Sequence, residues 1–177
     1  VAQYERGGMS SFSWHVDNPL TGKDSWDVTD STVVKSVLPG GVNHDKFLGW
    51  LDKIAGFMNS IQTADGVKVP VLFRPWHEHT GSWFWWGQNL CTAADYKALW
   101  RMTYERMQEN GATQLLYAYS PGTEPKDSTA YLERYPGDDI VDLIGVDAYQ
   151  FDREAYVQSL DNALRIMEQV GKAHQKA

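Results

Sequence analysis

The chain has 177 residues, 42% of them hydrophobic, and a formal net charge of −7. That length suits one domain with a sizeable buried core, and a negative surface repels phosphate backbones, which argues against a nucleic-acid partner. A single cysteine, Cys91, excludes an internal disulfide and a cysteine-built zinc site, and apolar runs of only a few residues leave no membrane-spanning segment.

Short apolar runs alternate with longer amphipathic ones, without a repeat, a low-complexity tract or an obvious linker. Residues 8–14 (GMSSFSW) read as a strand. From 45 to about 63, Phe47, Leu48, Leu51, Ile54, Ala55 and Met58 recur at helical spacing, and Phe57 widens the stripe. Residues 68–73 (KVPVLF) are short, apolar and partly β-branched, and predict a strand. Thr92, Ala93, Ala94 and Asp95 resemble a capping box with Asp in place of Glu. They open a helix with Tyr96, Leu99, Trp100, Thr103 and Met107 on one face, closed by Asn110 and Gly111. Residues 114–119 predict the next strand, 130–134 at most a short helix, and 140–146 (IVDLIGV) a further strand. Asp152 starts a last helix, with Tyr156, Leu160, Ala163, Leu164, Met167 and Val170 facing inward.

Apolar strands alternating with helices mean an α/β fold, a parallel sheet covered by helices, here in four βα units. Polar and aromatic residues directly follow the strands: Trp14 and His15, residues 74–86, residues 120–125, and Asp147 to Tyr149. In doubly wound sheets and in βα barrels alike, ligands bind at that carboxyl end. No Gly-rich phosphate loop follows a strand, which argues against a nucleotide-binding sheet.

Eight Trp, nine Tyr and six Phe make the chain 13% aromatic, and Trp83, Phe84, Trp85 and Trp86 are consecutive. An aromatic face packs on the C–H face of a sugar ring as it does on other apolar surfaces. A core cluster under a loop is the competing reading. Four rings in a row cannot all enter one core, so at least one faces solvent or a ligand. Glu78 lies among them, directly after a strand and beside Arg74, His77 and His79. Apolar rings exclude water and favour the neutral form of a carboxyl, and a glycosidic oxygen is a poor leaving group until it is protonated. Glu78 is therefore a candidate general acid; the alternative is a carboxylate salt-bridged to Arg74. His-Glu-His also raises a metal site. Alternate residues on a strand face the same way, so His77 and His79 are expected to point away from Glu78, and the helical zinc-hydrolase spacing is absent. No metal and no other cofactor is expected.

Arg74, Pro75, His77, Glu78, Gly81, Trp83, Phe84, Trp85, Trp86 and Gly87 match the pattern R-P-x-H-E-x-x-G-x-W-F-W-W-G. In this the chain resembles glycoside hydrolase family 26, best known for β-mannanases. The segment 7–19 (G-G-x…W-H-x-x-N-P), Tyr119-Ser120-Pro121, and 134–149 (R-Y-P-G-D-D…D-x-I-G-x-D-x-Y) agree, so that the resemblance covers essentially the whole chain. It implies a (β/α)8 TIM barrel, of which residues 1–177 would supply about units 3 to 6 as a partial catalytic domain. It implies further the retaining hydrolysis of internal β-1,4-mannosidic bonds in plant mannans.

Carried over by this resemblance, Glu78 is the acid/base at the end of the fourth barrel strand. His77 stands where related barrel glycosidases carry Asn and would hold the sugar or the nucleophile. His15 would contact the sugar at the cleavage site, Trp83 would be a stacking platform, and Tyr149 would hydrogen-bond the nucleophile. Trp14, Arg74, Trp86 and Asp147 complete the expected substrate-binding set, with Trp26 as a further stacking ring. The family's nucleophile is a Glu in a T-E-like segment after the seventh strand. The four βα units correspond to units 3 to 6, short of a seventh strand, so the nucleophile is expected outside this chain and the chain alone is expected to be inactive. Asp147 and Glu124 also follow strands and are the alternatives inside it, Glu124 being more simply a solvated charge. A lichenase or xylanase of the same family is an alternative activity. A carbohydrate-binding module without catalysis is an alternative of another class, although such modules are usually β-sandwiches. The expected partner is a polysaccharide or oligosaccharide, and that substrate class implies a secreted, cell-surface or periplasmic protein. The chain begins at Val1 without a leader and reads as something other than an intact secretory precursor. Nothing in the residues fixes an oligomeric state.

Overall fold

The computed structural model describes residues 1–177. Its elements are α1 (Ala2–Glu5), β1 (Ser10–Ser13), α2 (Val33–Val37), α3 (His44–Ser60), β2 (Val71–Arg74), α4 (Ala93–Glu109), β3 (Leu115–Tyr119), α5 (Ser128–Leu132), β4 (Leu143–Ile144) and α6 (Arg153–His174). The four strands form one sheet in the order β1-β2-β3-β4, every neighbouring pair parallel. Spatial order equals chain order and never reverses. A doubly wound sheet reverses at its switch point, whereas a barrel wall runs on in one direction. The architecture is thus four consecutive βα units of a (β/α)8 barrel, as the sequence implies.

The helices bury the faces that their spacing dictates. α3 buries Phe47, Leu51, Ala55 and Met58. α4 begins at a true capping box: Thr92 Oγ1 accepts the Asp95 N–H at 3.1 Å, and the Asp95 carboxylate accepts the Thr92 N–H at 3.4 Å. Tyr96, Leu99, Trp100, Met102, Thr103 and Met107 are buried along it. Between these helices and the sheet lies a block of indoles. Trp76, Trp85 and Trp86 meet edge to face with centroids 5.2–5.5 Å apart, pairs worth about 0.5–1.5 kcal/mol each beyond area burial. Each buried indole N–H has an acceptor: Thr103 Oγ1 for Trp76, the Val16 carbonyl for Trp85 and the His77 carbonyl for Trp86.

Several elements depart from the sequence reading, which also lacked α1. β2 starts at Val71 and not at Lys68, because Pro70 has no N–H to give a ladder and Lys68 pairs with Gln62 in an isolated antiparallel bridge. β4 keeps only Leu143 and Ile144. Ile140 and Val141 are buried, but their N–H groups turn back to the Gly137 carbonyl. α2 is too short, at five residues, to show a helical period. On α6, Ala163 and Val170 are buried and Tyr156, Leu160 and Met167 half-buried as expected, but Ile166 joins the inward face and Leu164 is 52% exposed. No helix is long and apolar enough to cross a membrane.

Candidate active site

β2 ends at Arg74, and residues 75–81 leave the sheet as an irregular turn. Within it Trp76 and Glu78 take left-handed backbone angles, φ +53° and +55°, which cost non-glycine residues about 1–3 kcal/mol each. The alternation of a strand therefore stops before His77, and the argument that the two histidines share a face fails. The turn is tied down at successive peptides. Tyr96 Oη donates to the Trp76 carbonyl at 2.7 Å, and Trp86 Nε1 to the His77 carbonyl at 2.9 Å. The Glu78 N–H donates to the Ser120 carbonyl at 2.8 Å.

The Glu78 carboxyl, only 7% exposed, receives one hydrogen bond on each oxygen. Tyr149 Oη donates to Oε1 at 2.5 Å and Trp83 Nε1 to Oε2 at 2.8 Å. The hydrogen bond to Glu78, with burial second, pushes the Tyr149 phenol up to about 12, so it stays protonated. Arg74 does not salt-bridge Glu78. Its Nη1 grips both oxygens of Asp147 at 2.7 and 2.6 Å, and Ser120 Oγ donates to Asp147 as well at 2.8 Å. Burial nevertheless holds the Asp147 carboxyl above its ordinary range, against Arg74 and Ser120 and with some help from the charge of Glu78.

His15, Trp26, Glu78, Trp83, Phe84, Tyr149 and Phe151 line a groove of about 450 Å³ at the carboxyl end of the sheet. Trp26 is 60% exposed and leans on the buried Phe84 at 4.9 Å. Phe151 is 93% exposed and stacks on Tyr149 at 6.1 Å. Trp83 lies across Gly81, where a Cβ would come within 2.2 Å of the indole, so that only glycine lets the ring settle there. Nε2 of His15 and Nε2 of His77 are 3.0 Å apart, one donating and one accepting. Burial, and then the charges of Arg74 and His15, push His77 down to about 3, so its ring is neutral. His79 goes elsewhere: it is buried between Tyr96 and Tyr119, at 4.5 and 5.0 Å.

Residues 1–173 match the glycosyl hydrolase family 26 pattern. The chain belongs to that family. Among curated relatives, it is 43% identical over 152 residues to a mannan endo-1,4-beta-mannosidase of Bifidobacterium adolescentis, covering 85% of this chain and 15% of the relative. It is 32% identical over 158 residues to the mannan endo-1,4-beta-mannosidase of Bacillus subtilis, with coverages of 84% and 42%. Among solved structures, the family 26 beta-mannanase from Bacteroides ovatus superposes with a TM-score of 0.98 at 58% identity, covering 99% of this chain and 51% of that one. A modular endo-beta-1,4-mannanase from Cellulomonas fimi gives 0.92 at 35% identity, with coverages of 98% and 39%. The chain thus spans about half, or less, of the length of these relatives.

The structure brings His15, Glu78, Trp83 and Tyr149 together in the groove, with His77 directly behind His15. Three of the expected residues make contacts that the motifs do not specify. Trp86 is 0% exposed and stacks under Phe84 at 4.5 Å, so it supports the groove floor without reaching a ligand. Trp14 stacks on Phe47 and tilts against Trp76, and with His15, Trp50 and Lys53 it lines a second depression that shares His15 with the groove. Tyr149 Oη, which the resemblance assigns to the nucleophile, donates within this chain to Glu78 Oε1. Phe84 and Phe151 were missed as lining residues. The signal for Phe151 was an aromatic two residues past the D-x-Y segment. The R-Y-P-G-D-D segment is architectural: Arg134 is buried over the Tyr96 ring and donates to the Cys91 carbonyl and sulfur.

Proposed function

We propose that this chain carries the acid/base half of the catalytic site of a retaining endo-β-1,4-mannanase, with Glu78 as proton donor. Residues 1–177 are then a partial catalytic barrel domain. The observation that carries this reading is the Glu78 carboxyl itself. It faces an aromatic groove, makes no ion pair, and is held by two neutral donors. A sugar ring can lie against Trp83, with Trp26 and Phe151 offering further faces, while His15 and Tyr149 supply polar contacts.

The two donors differ in what they permit. An indole N–H can only donate, whereas a phenol can also accept. Oε2, facing Trp83, therefore remains an acceptor, so that Glu78 acting as an acid carries its proton on Oε1, with Tyr149 then turning from donor to acceptor. In the first step Glu78 gives that proton to the departing glycosidic oxygen. In the second it takes one from the attacking water. The partner carboxylate of a retaining site lies about 5–5.5 Å from the acid. Asp147 is engaged by Arg74 and Ser120, and Glu124 lies outside the groove. The nucleophile is accordingly assigned to a glutamate outside these residues, and a polymeric substrate puts the protein outside the cytoplasm.

Substitution Glu78→Ala in the full-length protein tests the reading. Hydrolysis of mannan should fall by about 10²–10⁴-fold. The first step on an aryl mannoside with an acidic phenol, which departs unaided, should largely survive, and azide should restore turnover. Equal loss on both substrates with no azide effect would make Glu78 a nucleophile or a structural residue.

A further inference from the structure

Thr80 stands two residues beyond Glu78 in the same turn and is buried. Its hydroxyl accepts the Gly122 N–H at 2.8 Å and donates to Glu124 Oε2 at 2.6 Å. Glu124 is exposed on the loop after β3, yet its carboxylate is not free in solvent. It folds back over Gly122, where a Cβ would meet Oε2 at 2.2 Å, so the arrangement requires glycine there. The same loop offers the Ser120 carbonyl to the Glu78 N–H at 2.8 Å. The acid's turn and the β3 loop are therefore clasped at two points, residue 78 on 120 and residue 80 on 122 and 124.

We propose that Thr80 and Glu124 are positioning residues for Glu78. The inference rests on the reading of Glu78 as acid/base. The left-handed backbone at Glu78 is not a conformation that a free turn would keep. The main-chain bond to Ser120 fixes one end of the residue, and the Thr80 clasp fixes the peptides that follow it. Without the Thr80 hydroxyl, the Gly122 N–H loses its acceptor and Glu124 its donor. The turn then relaxes towards ordinary φ, and the carboxyl swings off Trp83 and Tyr149. A charged acceptor makes the outer hydrogen bond stronger than a neutral one would, which gives Glu124 a task that a solvated loop carboxylate lacks.

The test uses Thr80→Val, which keeps shape and removes the hydroxyl, Thr80→Ser, which restores it, and Glu124→Gln, which removes only charge at an exposed site. All are made in the full-length protein and assayed on mannan and on an aryl mannoside with an acidic phenol. Thr80→Val should lower kcat on mannan by about tenfold or more, a part of the general-acid contribution. KM should stay within about twofold, and the aryl substrate should be little affected. Thr80→Ser should recover most of the loss and Glu124→Gln should show a smaller loss of the same kind. A purely structural role would lower both substrates together. Equal losses, or no loss in Thr80→Val and Glu124→Gln, overturn the proposal while Glu78→Ala keeps its leaving-group dependence. If Glu78→Ala lacks that dependence, the acid assignment falls and this inference falls with it.

Discussion

The indole N–H of Trp83 reaches Oε2 of Glu78 at 2.8 Å, so the ring placed to stack against a sugar also holds the acid. The two roles separate by substitution. Trp83→Phe keeps an aromatic face and removes the donor; it should bind mannooligosaccharides nearly as the parent does and lose kcat on mannan by about tenfold. Trp83→Ala should in addition weaken binding by about 1–3 kcal/mol. Titration calorimetry with mannooligosaccharides, beside steady-state kinetics, reads both. Unchanged affinity in Trp83→Ala with the fold intact would remove Trp83 from the substrate contacts.

Gly81→Ala should act on Trp83 from beneath. A Cβ at that position meets the indole at 2.2 Å, so the ring must lift and its bond to Glu78 must break. The expected phenotype is that of Trp83→Phe with some loss of affinity. A change in tryptophan fluorescence should accompany it, with only a modest loss of stability.

Acid should destabilise the fold through its histidines. Burial, with Arg74 and His15 adding to it, depresses His77 from 6.5 to about 3. Burial first and the charge of Arg134 second hold His79 well below its ordinary value too. The unfolded chain takes up protons below about 6.5 and the folded chain does not, so stability falls as pH drops through that window, at about 1.4 kcal/mol per unit for each such group. Asp147, held above its ordinary range, contributes the opposite sign, losing stability as pH rises above the ordinary carboxylate value. Two histidines outweigh one modestly shifted carboxyl. Denaturant unfolding between pH 7 and about 4 should show the decline.

His79→Leu should flatten that decline. Neither ring nitrogen of His79 has a hydrogen-bond partner, so an apolar replacement sacrifices no bond and removes a group that resists burial. Stability at neutral pH should stay level or rise, and the acid slope should shrink. A large loss at neutral pH would point to a buried partner for the imidazole.

The helix periods of α3 and α4, the capping box and the parallel architecture were legible because each is local or follows from strand–helix alternation. The family was legible from residues 74–87. Side-chain direction was not. Trp83 and Trp86 are three residues apart in one motif, yet one lines the groove and the other is sealed beneath it. The turn at 75–81 has no period to read, and the left-handed angles at Trp76 and Glu78 have no sequence signal because neither residue is glycine. β4 was overextended because Ile140 and Val141 are apolar for reasons of burial in a turn, and periodicity alone cannot separate that from a strand.

The backbone of Glu78 sets activity against robustness to heat. Glu78→Gly and Glu78→Ala both delete the acid, but glycine accepts φ +55° without strain, so the glycine variant should be the more stable by about 1 kcal/mol. A laboratory screen that rewards survival of heating alone would drift towards such a protein, better folded and chemically silent. Thermal selection on this scaffold therefore needs turnover as a second criterion in every round.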